Sequence, residues 1–401
     1  MSRVDIIQTL QERRKKLKSI AFSLATLCLI VGCVQEPINP IEQYDSLNLK
    51  WYENYPGEKR VDVDSGLIWT MAYLGADLSP GIFEKSCEWT SENVLHFDLN
   101  DSGFDTEAIE VLKKMIRVLK RSEEYKVNGA IDIGRFVSLM LLSSPNYYAI
   151  TGVPKNLEAF IGASQFRTKK TLLLKSTISI TPRMIETPKL DQSLVEISFV
   201  AHEGELSVDS SSFITKEFEV VDIMNNGFPR FAVYDSDGNL KLGADRTYSF
   251  GGKPSKCLWC HESIFNPSFI EQEGVLGYQS RDDFNDEVIE WNTRLSEWRE
   301  SLNTQVNLFN PKQHQLAELL YLGFMQPSAE RLSHEWGISE SEVLVIISGL
   351  PSFDSDEHDF MTNRYSRKEV DLLAPFRTVA VSDNIRETGG YNPDFTIESQ
   401  P

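Results

Sequence analysis

The chain has 401 residues, 41% hydrophobic and 25% charged, which excludes disorder throughout and suits two or three folded domains. Forty lysines and arginines stand against 59 acidic residues, a net charge of −19, so no nucleic-acid partner is expected: phosphate binding needs clustered positive charge. Five cysteines are too few for a disulfide scaffold.

Residues 1–18 carry Arg3, Arg13, Arg14, Lys15, Lys16 and Lys18 against only Asp5 and Glu12, and an apolar run from Ile20 to Gly32 ends at Cys33. A run of about 13 residues is short for a permanent bilayer span but fits the apolar core of a signal peptide. Ile30-Val31-Gly32-Cys33 resembles the bacterial lipoprotein box, where small residues precede a cysteine that becomes N-terminal and lipidated. The resemblance implies a signal peptide over 1–32, attachment to the membrane through lipid on Cys33, and a place in the bacterial cell envelope, on the periplasmic or surface side. Losing six basic and two acidic side chains with that peptide leaves a mature chain of net charge −23. A plain transmembrane anchor is the alternative. Arg13-Arg14 is a weak twin-arginine signal, because Lys16 stands where an apolar residue belongs.

Residues 33–50 hold Pro37 and Pro40, show no helical period and read as a tether. Over 51–165 the pattern is mainly helical. Asp105-Thr106 caps a helix bearing Ala108, Ile109, Leu112, Met115, Ile116 and Leu119, and a second helix runs over Gly134–Leu142 to Ser143-Ser144-Pro145. Residues 166–250 read as a small antiparallel β domain, with strands in Thr171–Ile180, Leu194–Val200, Glu217–Ile223 and Phe231–Tyr234 and a hairpin turn at Asp235–Gly238. Over 251–401 the chain reads as helical again. Phe284, Val288, Trp291, Leu295, Trp298 and Leu302 form one apolar stripe, best explained as core. The expected fold class is therefore α+β and multidomain.

The chemistry concentrates in Cys257-Leu258-Trp259-Cys260-His261. Cys-x-x-Cys-His is the attachment signature of c-type haem: two thiols one helical turn apart add across the two vinyl groups, and the next imidazole reaches the iron. Chance would produce it in about one such chain per thousand. With the export signal, the sequence resembles a bacterial membrane-anchored c-type cytochrome, although the resemblance covers only the lipoprotein box and the motif. It implies one covalent haem c on Cys257 and Cys260, with iron bound by His261. Candidates for the sixth iron position are Met325, which ends an apolar helix before Pro327, and Met224, Met361, His314, His334 and His358; an open position is the other possibility.

Rival readings of the motif are zinc held with distant Cys87, a thioredoxin-like dithiol, and a local disulfide. Residues 330–350 resemble a helix-turn-helix, but the second helix has Glu340 and Glu342 and no basic residue, which repels phosphate. Residues 98–103 and 235–239 begin like calcium loops and lack the closing glutamate at the twelfth place. The expected function is a lipid-anchored monohaem carrier of single electrons, docking a redox protein through that partner's basic patch. A haem that acts on peroxide or senses a ligand for the region 51–250 is the alternative, and a non-haem scaffold with zinc or a disulfide is the third reading.

Overall fold

The computed structural model describes residues 44–387, apart from 180, 208–211, 263, 267–270, 307–310, 354–359, 362 and 383. The signal-like segment, the lipoprotein box and Cys33 lie outside the described residues, as does His358. Among the described residues thirteen α-helices and three sheets make a mixed α and β architecture.

The expected tether contains a strand. Ser46–Lys50 is strand β1, with Leu47 and Leu49 buried on one face. Two prolines upstream masked a period-two pattern only five residues long. β1 pairs antiparallel with β3 (Val94–Asp98) and parallel with β4 (Ile131–Asp132); β2 (Cys87–Trp89) flanks β3. The first region thus adds a four-stranded sheet to the mainly helical pattern that was expected. The helices are α1 (Arg60–Tyr73), α2 (Ile82–Ser86), α3 (Thr106–Arg121), α4 (Glu123–Asn128), α5 (Ile133–Leu141), α6 (Ser144–Ile150) and α7 (Leu157–Ile161). α3 starts as its sequence dictates: the Asp105 carboxylate accepts from the Ala108 amide at 2.8 Å, and Leu112, Met115, Ile116 and Leu119 are buried.

The second sheet is a six-stranded antiparallel meander of β5 (Thr171–Leu173), β6 (Arg183–Glu186), β7 (Ser198–Leu206), β8 (Phe213–Ile223), β9 (Pro229–Asp235) and β10 (Leu240–Lys241), in the order β10-β9-β8-β7-β6-β5. It confirms the hairpin turn, where Gly238 takes φ +80°. It also corrects two strand boundaries. Only Thr171–Leu173 of the first expected segment is strand, and Leu194–Glu196 is a 3-10 turn before β7 begins.

Beyond the meander come α8 (Pro254–His261), α9 (Arg281–Ser301), α10 (Pro311–Met325), α11 (Ala329–Trp336), α12 (Glu340–Ile347) and α13 (Arg367–Asp371), with a two-stranded ribbon of β11 (Ser352–Phe353) and β12 (Arg364–Tyr365). The stripe on α9 is core: Phe284, Val288, Trp291 and Leu295 pack against Phe199, Ile185 and Ile223 of the meander. The paired helices α11 and α12 enclose a small core of Leu332, Trp336, Val343 and Ile346, as structural packing would have it.

The helices after 251 also pack into the first region: α10 runs through its core, against α1 and α5. Its sequence is apolar nearly all round, and such a helix needs cover on every side. Gly66 and Gly134 make that cover possible. A Cβ on Gly66 would sit 3.0 Å from the Leu316 carbonyl, and one on Gly134 would sit 2.6 Å from the Leu320 oxygen. The α11–α13 unit is riveted on by buried ions. Arg331 bonds Asp132 at 2.5 Å and Glu335 at 2.7 Å, Arg367 bonds Glu335 at 2.8 Å, and Arg135 bonds Asp371 at 2.8 Å and Glu124 at 3.0 Å.

Candidate functional site

The motif lies on α8, an eight-residue helix that opens at Pro254, where a missing N–H costs nothing. Helical geometry places Cys257 and Cys260 about one turn apart, and both thiols are free. Leu258 between them is buried and anchors the helix in the main core. The thiol of Cys257 is pushed well up by desolvation and by the charge of Glu219, and its field reaches the buried phenols of Tyr73, Tyr147 and Tyr148. Burial also raises the Cys260 thiol, opposed by Lys256 and Arg386. Both cysteines are therefore neutral thiols.

His261 ends the helix. Its Nδ1 lies 3.3 Å from the Ile264 carbonyl, which can only accept, so the ring proton sits on Nδ1 and the Nε2 lone pair is left to bind. Desolvation lowers its pKa and keeps the imidazole neutral, and the Phe231 ring lies 5.4 Å from it, centroid to centroid. The next residue, Glu262, has φ +46°, the one positive φ outside glycine among the described residues. Backbone strain is thus stored next to the imidazole.

The last described segment of the chain straps α8 down. The Lys253 amide donates to the Arg386 carbonyl at 2.9 Å, and Ser255 Oγ to the Ile385 carbonyl at 2.8 Å. The buried Lys253 ammonium donates to Ser382 Oγ, to the Asn384 carbonyl at 3.0 Å and to the Leu142 carbonyl at 3.3 Å. Arg386 lies over the Trp259 ring, 3.6 Å from its centroid, and both side chains bond Glu318 on α10. Trp259 therefore clamps the motif to the fold.

α10 approaches the motif through Glu318, which bonds Trp259, and through His314. His314 Nδ1 is 3.6 Å from Glu262, the neighbour of His261; burial lowers its pKa to about 4, so it too is a neutral imidazole. Met325 is seven residues beyond Glu318, about 10 Å further along the axis, buried in the main core beside Phe324. The structure thus places His314 beside Glu262, the residue after His261, and Met325 further along α10. Cys87, the fourth ligand of the zinc reading, is in β2 with its thiol 3.8 Å from Ser86 Oγ, and burial pushes that thiol up to about 12. Among the described residues no three His, Cys, Asp or Glu side chains gather as a metal site. The calcium-like segments are turns closed on themselves, Asp98 accepting from Asn100 and Asp235 from Asp237 and Asn239.

The sequence reading missed a cluster beneath α8. On one face of the meander the apolar Ile185, Phe199 and Val221 give way to Arg183, Glu203, Glu217 and Glu219, as the strand register requires. Arg183 Nε bonds Glu203 Oε1 at 2.6 Å, and its Nη2 bonds Glu219 Oε2 at 2.9 Å. Lys241 bonds Glu217 at 2.6 Å. A Cβ on Gly251 would come within 2.4 Å of Glu219 Oε1, so the loop entering α8 rests on this carboxylate. The signal was present: Glu217 and Glu219 share strand parity with Val221 and Ile223, and a charge on the buried parity of a strand is unusual.

Comparison of the chain with family models, with characterised proteins and with solved structures finds no match. Among the described residues no helix is long and apolar enough to cross a membrane.

Proposed function

We propose that this chain is an exported, lipid-anchored c-type haem protein that passes single electrons to a partner. The observation that carries the reading is α8 itself: two free thiols a turn apart, followed by a neutral imidazole whose Nε2 lone pair is available. The residues fit the group. Thioether formation needs reduced thiols, and iron needs a deprotonated ring nitrogen. Cys257 and Cys260 would hold haem c, His261 would bind its iron, and His314, beside Glu262, is the candidate for a second side-chain ligand. The haem, when bound, supplies one-electron iron chemistry. The protein's own residues fix the helix through Trp259, Glu318 and Arg386, and the acidic body favours a partner with a basic docking patch.

Expression with haem-maturation machinery tests this: a thioether-type α band in reduced, denatured protein is expected from the wild type and not from C257S/C260S. A colourless product of correct export would end the haem reading. A peroxide-acting or ligand-sensing haem is the second reading, favoured by the remoteness of Met325, since without His314 a position on the iron stays open. Carbon monoxide decides: no spectral shift in wild type and a shift in H314A support the carrier.

A further inference from the structure

The sheet face under α8 holds more carboxylate than cation. Glu203, Glu217 and Glu219 face Arg183 and Lys241, which leaves one negative charge uncompensated. Glu203 and Glu217 have no exposed surface, and an unpaired charge in such a place costs several kcal/mol. A cation has to make up the difference. The described residues offer no metal-binding group of three, so the proton is the cation that fits. It also has a place to go: Glu203 Oε2 and Glu219 Oε1 are both buried and accept no hydrogen bond.

We propose that the Arg183–Glu203–Glu219 cluster is a proton-binding site that takes up one proton when the centre held by Cys257, Cys260 and His261 gains one electron, and releases it on oxidation. The inference rests on the haem reading. The electron comes from the redox partner and the proton from solvent, no covalent bond to carbon changes, and the charge buried beneath α8 stays constant. Glu203 is the seat of the proton. Burial, with Glu219 and Glu217 as like charges, pushes its carboxyl up to about 8 against the pull of Arg183. The other groups around it are Lys241 on β10 and the Asp245 amide, which both bond Glu217, and Cys257 and His261 on α8, which feel both Glu219 and Arg183.

The test is potentiometric titration of the haem-loaded full chain between pH 5 and pH 10. One proton per electron makes the reduction equilibrium fall up to tenfold per pH unit, which is 59 mV for a one-electron couple, and flatten at either end. E203Q should abolish the slope with haem content unchanged. The infrared difference between reduced and oxidised protein should show a carboxylic C=O band in wild type that E203Q lacks. A potential independent of pH in loaded protein, or a slope that survives in E203Q, overturns the proposal. Should E203Q fail to fold, the wild-type slope and infrared band decide. Haem is quantified on the same sample, so its absence is seen as failure of the haem reading, which takes the electron coupling with it.

Discussion

Two buried ionic clusters, built from the same residue types, behave in opposite ways. In the rivet that joins α11 and α13 to α5, Glu335 receives two guanidiniums, Arg331 and Arg367, and its pKa is driven down to about 2 despite burial. Beneath α8, Glu203 shares the single guanidinium of Arg183 with Glu219 and is pushed up to about 8. Burial raises both carboxyls, so the number of cations per carboxylate decides the sign. The rivet stays charged and locks two elements together; the cluster under the motif can change its charge.

Removing a cation should therefore cost most in the rivet. R367M leaves Glu335 buried with Arg331 alone, and we expect a loss of about 3–5 kcal/mol in urea unfolding, the same at pH 6 and pH 9. R183M should behave differently, because its carboxylates can take up protons. A loss of roughly 2 kcal/mol at pH 6, growing at pH 9, is expected. Equal losses at both pH values for R183M would erase the distinction between the clusters.

Wild-type stability should show the same contrast with smaller amplitude. The raised pKa of Glu203 means that its contribution is fully present below its ordinary value of 4.5 and is lost as pH rises through about 8. The depressed pKa of Glu335 means the reverse: its contribution is present above 4.5 and is lost as pH falls through about 2. The unfolding free energy from urea titrations should decline between pH 6 and pH 9 by of order 1–4 kcal/mol, and E203Q should flatten that decline. A flat wild-type profile would show Glu203 ionised throughout.

How much of this could be read beforehand follows from the range of the forces involved. The helix capped by Asp105, the α9 stripe and the hairpin at Gly238 are local patterns, and the structure has all three. The five-residue motif was legible for the same reason: its spacing lies within one helical turn, and the structure puts it on one helix. The packing of α10 was not legible, because whether it packs in its own region or through Gly66 and Gly134 into another depends on contacts some 180–250 residues away. Met325 was singled out by chain distance, whereas the closeness of His314 to Glu262 depends on where α10 approaches α8. The charged cluster needed strand register, which shows which of the glutamates share a face with Arg183.

Strain gives the smallest and most local difference between the two regions. Among the described residues of the rivet every non-glycine backbone has negative φ, whereas Glu262 beside the motif sits at φ +46°. A side chain there costs about 1–2 kcal/mol that glycine would not, but glycine loses about 0.5–1 kcal/mol of chain entropy on folding. E262G should therefore raise stability by no more than about 1.5 kcal/mol, or roughly 1–2 °C in Tm for a chain this long. If E262G instead lowers Tm by several degrees, the carboxylate facing His314 at 3.6 Å contributes more than the backbone costs. The turn after His261 would then be held by a side-chain contact between α8 and α10, and His314 would owe its position to that contact.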